Sequence, residues 1–517
     1  MNWFDIVRLS VMVVYTFALV MVCVYGLHRY VLVYLFYRHR RNVVKPAGEF
    51  QQLPRVTIQL PMYNEKYVAV RVIEKTLETD YPRELLQIQV LDDSTDPEAV
   101  AVTSAAVARA KGQGHDIEYI HRDDRTGYKA GALEHGLKTA TGEFVTIFDA
   151  DFVPNPKLIK DSIHYFSDPK ICAVQTRWDH LNRDDSLLTR TQAILIDGHF
   201  IIEHIARNRS GRFMNFNGTA GTWRISAIHD AGGWQHDTLT EDMDLSYRAQ
   251  MKGWKFVFLP DTTAPAELPP EMNAFKTQQF RWTKGGVQTC LKLLPRLMMS
   301  KAPLKAKIDA FFNLTCFSVH LYVLVLVALL YPAMLIHGLP MQEGTPGRAV
   351  FDMTVFSLAT MSASVFYVAG QYELFRDWRT VLKYLPFLMA LGVGVSLSNA
   401  KAVLEGLFGK TSEFVRTPKF GEAVGQEAMA LMVNQAAHAR TGKKRKRRVL
   451  PYAEFGMGLY IGFCAIGSML DPKTALAAPF LLMFSVGFFY VSILTFIGQA
   501  VKSIQPQAKP GEIKVKA

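Results

Sequence analysis

Several stretches of this chain are apolar for longer than a globular core requires, and they bracket a block of ordinary charge content. Crossing the hydrocarbon of a bilayer takes about 20 apolar residues in a helix. Residues 7–36 carry almost no charge until His28 and Arg29. Residues 310–336 and 350–368 pass the same test, and two more runs follow between Phe455 and Phe496. The first run is too long for a signal peptide and lacks a small-residue cleavage site. The pattern is that of a multi-pass membrane protein with one soluble block, residues 42–305.

The distribution of charge orients it. The net charge is +12, a value that suits a nucleic-acid binder, but the bases gather beside the apolar runs. Arg38, His39, Arg40 and Arg41 follow the first run, and six consecutive Lys and Arg residues, 443–448, precede the fourth. Cytoplasmic flanks of membrane helices carry this excess, so membrane lipid accounts for the basicity and no nucleic-acid partner is expected. The five cysteines are scattered, without the spacing of a disulfide framework or zinc site.

With the soluble block cytoplasmic, the second and third spans exit and return. Counting residues 381–407 as a further crossing would strand Arg416, Lys419 and the 443–448 run outside. That stretch is therefore expected to be interfacial or re-entrant, leaving five spans, an outside N-terminus and an inside C-terminus. The expected division is a first span and basic linker (1–41), the soluble block (42–305), spans two and three (306–372), an interfacial segment (373–450), spans four and five (451–500) and a cytoplasmic tail (501–517). An inner, plasma or Golgi-type membrane suits this plan.

Within the soluble block, strands are expected at 55–65, 86–91, 117–121 and 144–148, alternating with helices at 68–77, 97–111 and 132–140. Such alternation predicts an α/β fold with a mostly parallel sheet covered on both faces. Ligands of these sheets bind at the carboxyl ends of the strands. Asn64, Asp92, Asp93, Asp149 and Asp151 all fall there.

Asp149-x-Asp151 places two carboxylates one residue apart on a turn, where both can reach a hard divalent cation that also bridges phosphates; the alternative is a polar surface turn. Asp92–Asp93 reads either as a nucleotide contact or as a turn capping the next helix. Lys129, in the small-residue segment Gly127-Tyr128-Lys129-Ala130-Gly131, is either a phosphate neighbour or a surface lysine. Glu241, Asp242 and Asp244 follow a Gly-Gly-Trp turn and precede an amphipathic helix expected from Leu245, with Leu245, Ala249 and Met251 inward. Gln278-Gln279-Phe280-Arg281-Trp282 reads as a site segment and also as an interfacial helix with a snorkelling Arg and Trp. Metal-binding carboxylates, a proton-accepting carboxylate, an Arg and a Trp together suggest sugar transfer.

The segments VTIQLPMYNE, LDDSTD, RTGYKAGAL, FDADF, FNGTAGTWRI, TEDMDLSYRAQMKGWKF and QQFRW occur in the order found in membrane-embedded family 2 glycosyltransferases. Over residues 55–295 and in its layout of spans the chain most resembles the plant cellulose-synthase-like A and C enzymes, which build β-1,4-mannan and β-1,4-glucan backbones. The resemblance implies a GT-A, Rossmann-like catalytic domain and inverting transfer from UDP-glucose or GDP-mannose to a β-1,4-glycan, processive and coupled to export. It implies that Asn64, Glu65, Asp92 and Asp93 hold the nucleoside, with Lys129 and Gln278 beside the nucleotide sugar. Asp149 and Asp151 would bind Mg²⁺ or Mn²⁺ on the diphosphate. Asp242, beside Glu241, would be the base. Arg281 would counter leaving-group charge, while Trp282, Gly218 and Thr219 meet the acceptor. Phe414, Thr417 and Lys419 fit the gating loop FxVTxK of processive synthases, although Arg416 and Pro418 depart from it. Two other functions compete: a glycolipid synthase adding a sugar to ceramide or diacylglycerol, and a scaffold built on an inactive fold. The second is disfavoured because no chemistry-bearing motif position is replaced.

Overall fold

The computed structural model describes residues 3–337, 346–409, 449–472 and 474–504. Phe414, Thr417, Lys419 and the basic run 443–448 lie outside them.

The soluble block is built on a seven-stranded sheet of order β3-β2-β1-β4-β6-β5-β7. The four expected strands are β1 (Val56–Met62), β2 (Leu86–Asp92), β3 (Ile117–His121) and β4 (Phe144–Ile147), all mutually parallel where they pair. Beyond β4 the sheet continues through β5 (Ile171–His180), β6 (Gly221–Arg224) and β7 (Lys255–Ala266); β6 runs antiparallel to both neighbours. The alternation in β1 sends Val56, Ile58 and Leu60 into one buried cluster. Thr57 and Gln59 face the other way, yet are equally buried. A ladder pairs most of that polar row: Thr57 donates to Gln87 Oε1 (2.8 Å) and Gln59 to Gln89 Oε1 (3.0 Å), while Gln89 donates to the Gly136 carbonyl (3.0 Å); Gln59 Oε1 accepts from no protein group among the described residues. Buried amides with partners cost little; without them each would cost ~1–3 kcal/mol.

The longer helices among the described residues are, in order, α1 (Trp3–His39), α2 (Ala69–Leu77), α3 (Pro97–Gly112), α4 (Tyr128–Leu137), α5 (Leu187–Gly198), α6 (Glu241–Met251), α7 (Met272–Met299), α8 (Leu304–Thr315), α9 (Val319–His337), α10 (Pro346–Phe375), α11 (Leu385–Gly394), α12 (Ser396–Leu407), α13 (Leu450–Leu470) and α14 (Ala478–Ile504). The end of α5 runs into one π-helical turn, His199–His204, a widening often found at functional sites.

Among the described residues four helical segments are long and apolar enough to cross a membrane: Trp3–His39, Leu304–Ile336, Leu450–Leu470 and Ala475–Ala500. α10 forms a helix over the third expected span but is not one of those four. Residues 381–407 contain α11 and α12, bent by 45° at Val395, a geometry shared by a broken span and a re-entrant loop. The second face of the sheet shares a buried core with α1 and α10 by way of the helical segment 187–209. Val145, Ile147 and Ala173 share one buried cluster with Leu32, Val33, Leu35 and Phe36 of α1 and with Phe366 and Tyr367 of α10. Residues on both sides of the expected boundary at residue 41 contribute to that common core.

Candidate active site

The carboxyl ends of β1, β2 and β4 meet the first turns of α4 and α6 around one cleft, with α7 on its far wall. Lys129, in the first turn of α4, places Nζ 2.5 Å from Asp149 Oδ1 and donates to the Gly218 carbonyl at 2.9 Å. Burial works against its ammonium, but Asp149 and Glu241 outweigh it and hold the pKa above the ordinary value. Asp149 is anchored in turn through its backbone N–H, which donates to Thr219 Oγ1 at 2.8 Å. Gly218 has φ +82°, and a Cβ there would lie 3.1 Å from Asp242 Oδ2. A residue without a side chain lets the loop pass between the two charged groups.

The helix expected from Leu245 starts four residues earlier, at Glu241. All three acids therefore stand in its first turn, where the N-terminal end of the dipole favours negative charge. Their side chains diverge. Glu241 and Asp242 line the cleft. Asp244 is turned away and buried, paired with Arg248 (2.7 Å) and Lys292 (2.9 Å). Burial and then the neighbouring Glu241 raise the Asp242 carboxyl to about 7. Burial raises Glu241 too, opposed by Lys129. α7 lies directly on the segment leading into α6. A Cβ on Gly285 would sit 2.7 Å from Thr240 Cγ2 and 2.9 Å from Leu239 C. That contact brings Gln278, Arg281 and Trp282 to the cleft. Burial lowers the Arg281 pKa, and Glu241 and Asp149 oppose the shift.

Not every expected residue faces this space. Asp93 does, gripped by Arg122 through two bonds of 2.7 and 2.6 Å. Asp92 does not. It is fully buried, accepting from Ser94 N–H (2.9 Å) and Tyr119 O–H (2.7 Å). Successive side chains of an extended chain point to opposite faces, so the pair could not both turn to one ligand. Glu65 lines the cleft, whereas Asn64 secures its rim, its Oδ1 accepting the N–H groups of Thr95 and Asp96. Gly218 borders the cleft; Thr219 lies behind it.

Asp149 and Asp151 both line the cleft, and Asp149 already accepts a cationic partner, the Lys129 ammonium. Among the described residues no cluster of three or more His, Cys, Asp or Glu forms a closed metal cage. Two hard oxygen donors on an open wall fit Mg²⁺ or Mn²⁺, ions that keep positions for water and substrate phosphate.

Residues 54–285 match the family model described as glycosyltransferase like family 2. The chain is 32% identical to glucomannan 4-beta-mannosyltransferase 7 of Arabidopsis thaliana over 458 residues, 87% of this chain and 78% of the relative. It is 34% identical to probable glucomannan 4-beta-mannosyltransferase 9 of Oryza sativa subsp. japonica, over 85% of this chain and 81% of the relative. The chain belongs to the family 2 glycosyltransferases. Its fold is that of the GT-A enzymes, in agreement with the mannosyltransferase PcManGT from Pyrobaculum calidifontis, a structure in complex with GDP-Man and Mn²⁺. The two superpose with a TM-score of 0.51 at 21% identity, covering 76% of this chain and 99% of that one.

This glycosyltransferase also brings residues to its cleft that the sequence reading passed over. Arg125 lies over the Tyr63 ring, 3.3 Å from its centroid, beside Tyr128. Tyr63 and Arg125 lie inside the quoted segments VTIQLPMYNE and RTGYKAGAL, and that membership was the available signal. Trp178, Asp179 and His180 come from the last residues of β5. The β5–β7 register slips between Thr176 and Arg177, an irregularity of the kind that re-aims side chains. It sets Trp178 between Phe152 and Phe200, 5.3 Å from each ring. No local pattern announces such a slip.

Proposed function

We propose that this glycosyltransferase moves a hexose, with inversion, from a nucleoside-diphosphate sugar to a growing β-1,4-linked glycan. The observation that carries the reading is the gathering in one cleft of Asp149 and Asp151, Lys129 and Arg281, and the high-pKa carboxyl of Asp242. In this reading the nucleoside lies along Tyr63, Glu65, Asp93 and Arg125, where stacked Tyr63 and Arg125 offer a planar surface. Asp149 and Asp151 hold Mg²⁺ or Mn²⁺, which neutralises diphosphate charge when bound. Lys129 and Arg281 add fixed positive charge where the leaving diphosphate gains negative charge.

The acceptor sugar rests against Trp282, with its hydroxyl toward Asp242. Asp242 takes the hydroxyl proton as the oxygen attacks the anomeric carbon, and the carbon–diphosphate bond breaks on the opposite side. A pKa near 7 suits a base working near neutrality. Glu241 raises that basicity by its charge. The relatives' names make mannose the first donor sugar to test, with glucose second. Processive addition and export through the adjoining helices complete the reading.

Membranes containing the enzyme, incubated with labelled GDP-mannose or UDP-glucose, should yield an insoluble polymer degraded by a β-1,4-mannanase or β-1,4-glucanase. Label recovered only in extractable lipid would overturn the polymer reading.

A further inference from the structure

The loop entering β6 presents Asn217 to the cleft immediately before Gly218, and two imidazoles from the π-helical turn hold its side chain. Asn217 Oδ1 lies 2.6 Å from His204 Nε2, and Asn217 Nδ2 lies 3.0 Å from His199 Nε2. The proton arrangement follows from the next partner along. His199 Nδ1 is 2.9 Å from Glu203 Oε2, and a carboxylate can only accept, so Nδ1 carries the hydrogen. In the neutral ring Nε2 is then an acceptor and takes an N–H from Asn217. The opposite end of the amide is an oxygen and takes the N–H of His204 Nε2.

Both imidazoles thus specify the same amide orientation. Burial pushes the His204 imidazole well below its ordinary pKa, which keeps it neutral. Glu203 is fixed by Arg207 at 2.9 Å, and Arg207 by Asp309 at 3.0 Å. The Asn217 backbone N–H donates to Gln175 Oε1 at 2.9 Å.

A primary amide has two N–H donors and two lone-pair sites. The imidazoles engage one of each, leaving one donor and one acceptor on a side chain at the cleft. We infer that Asn217 reads a hydroxyl of the acceptor hexose, donating one hydrogen bond and accepting another, and that His199 and His204 are positioning residues that fix which end of the amide meets it. The neighbour Gly218 lies between Lys129 and Asp242, and its nearer neighbour is Asp242, the base toward which the acceptor hydroxyl points in that reading. The inference rests on the reading of the cleft given under Proposed function, and it assigns to Asn217 a specificity role.

Full-length enzyme in lipid nanodiscs would be tested for binding of β-1,4-mannohexaose and cellohexaose, and separately of GDP and UDP. Asn217→Leu should weaken binding of the preferred oligosaccharide on the order of ten- to a hundredfold, with nucleotide affinity unchanged within about twofold. His204→Leu should weaken it about tenfold, and His204→Gln, whose amide keeps a donor, should return it to within about threefold of wild type. Turnover at saturating acceptor should fall much less than acceptor affinity in His204→Leu. Wild-type oligosaccharide affinity in Asn217→Leu or His204→Leu overturns the inference alone. So does an equal loss of nucleotide affinity, which marks a fold defect. A wild-type enzyme that binds neither oligosaccharide rejects the acceptor assignment and this inference together.

Discussion

At the scale of single residues, the cleft concentrates like charge. Glu241 and Asp242 are adjacent in one helical turn, and burial disfavours ionising either. Asp242 therefore binds its proton more tightly in the folded protein than in the unfolded chain. Stability linked to it is greatest below the unfolded pKa of about 4 and declines as pH rises toward 7. Asp242→Asn should abolish transfer while leaving nucleotide binding nearly intact, since the amide keeps the shape but accepts no proton. The same substitution should stabilise the fold clearly at pH 8 and almost not at all at pH 4. Thermal unfolding at the two pH values checks the sign, and retained turnover would remove Asp242 as base. The rising limb of kcat/KM should be centred near neutrality in the wild type. In Glu241→Gln it should move to lower pH, because the neighbouring charge that raises Asp242 is gone. Asp151→Ala should weaken both Mn²⁺ and nucleotide-sugar binding at least tenfold, and activity that survives chelation would remove the metal from the reading.

At the scale of elements, α7 connects the cleft to the membrane helices. Lys276, 8% exposed, lies 2.6 Å from the fully buried Glu454 of α13. Lys284, itself fully buried, lies 3.3 Å from Glu405 of α12. The two ion pairs bracket Arg281 and Trp282. Breaking a buried pair by removing one partner typically costs about 3–5 kcal/mol, whereas an apolar replacement of both is close to neutral. Glu454→Ala should therefore lower the thermal midpoint sharply, and Lys276→Met combined with Glu454→Leu should recover most of it. Additive losses in the double variant would show that the pair is not coupled.

These pairs mark a limit of what the sequence carried. Lys276 stands two residues before a recognised segment and reads as an ordinary surface lysine; its partner is 178 residues away. Strands β1 to β4 and helices α2 to α4 were legible because short apolar and β-branched runs alternate with helix-length segments, although α4 begins at Tyr128, four residues before the expected start. β6 was not, since four residues reading Gly-Thr-Trp-Arg offer no alternation, and only the sheet supplies their pairing. The motif residues of the cleft were legible as types at strand ends. Which of two adjacent acids faces inward, as with Asp92 and Asp93, depends on twist at a strand end that composition does not encode.

On the scale of the whole molecule, sidedness turns on how residues 381–407 sit in the bilayer. Lys383, Asn399, Lys401 and Glu405 interrupt the stretch, and a charge held in hydrocarbon costs on the order of 3 kcal/mol. A cysteine placed at position 410 in a cysteine-free background should be labelled from the cytoplasmic side only. Labelling by an impermeant reagent from outside intact cells would make the segment a true crossing and reverse the sidedness that follows it.

The shared core and the α7 ion pairs bear on engineering as well as stability. Residues 42–305 hold the recognisable motifs, but Lys276 and Lys284 answer to carboxylates on helices that come much later in the chain. A chimera that grafts this segment onto another protein's helices brings two buried lysines, and keeps their pairs only where the recipient supplies carboxylates in place of Glu405 and Glu454. Engineering of the segment is therefore constrained to carry Glu405 and Glu454 along with the graft wherever the recipient lacks them.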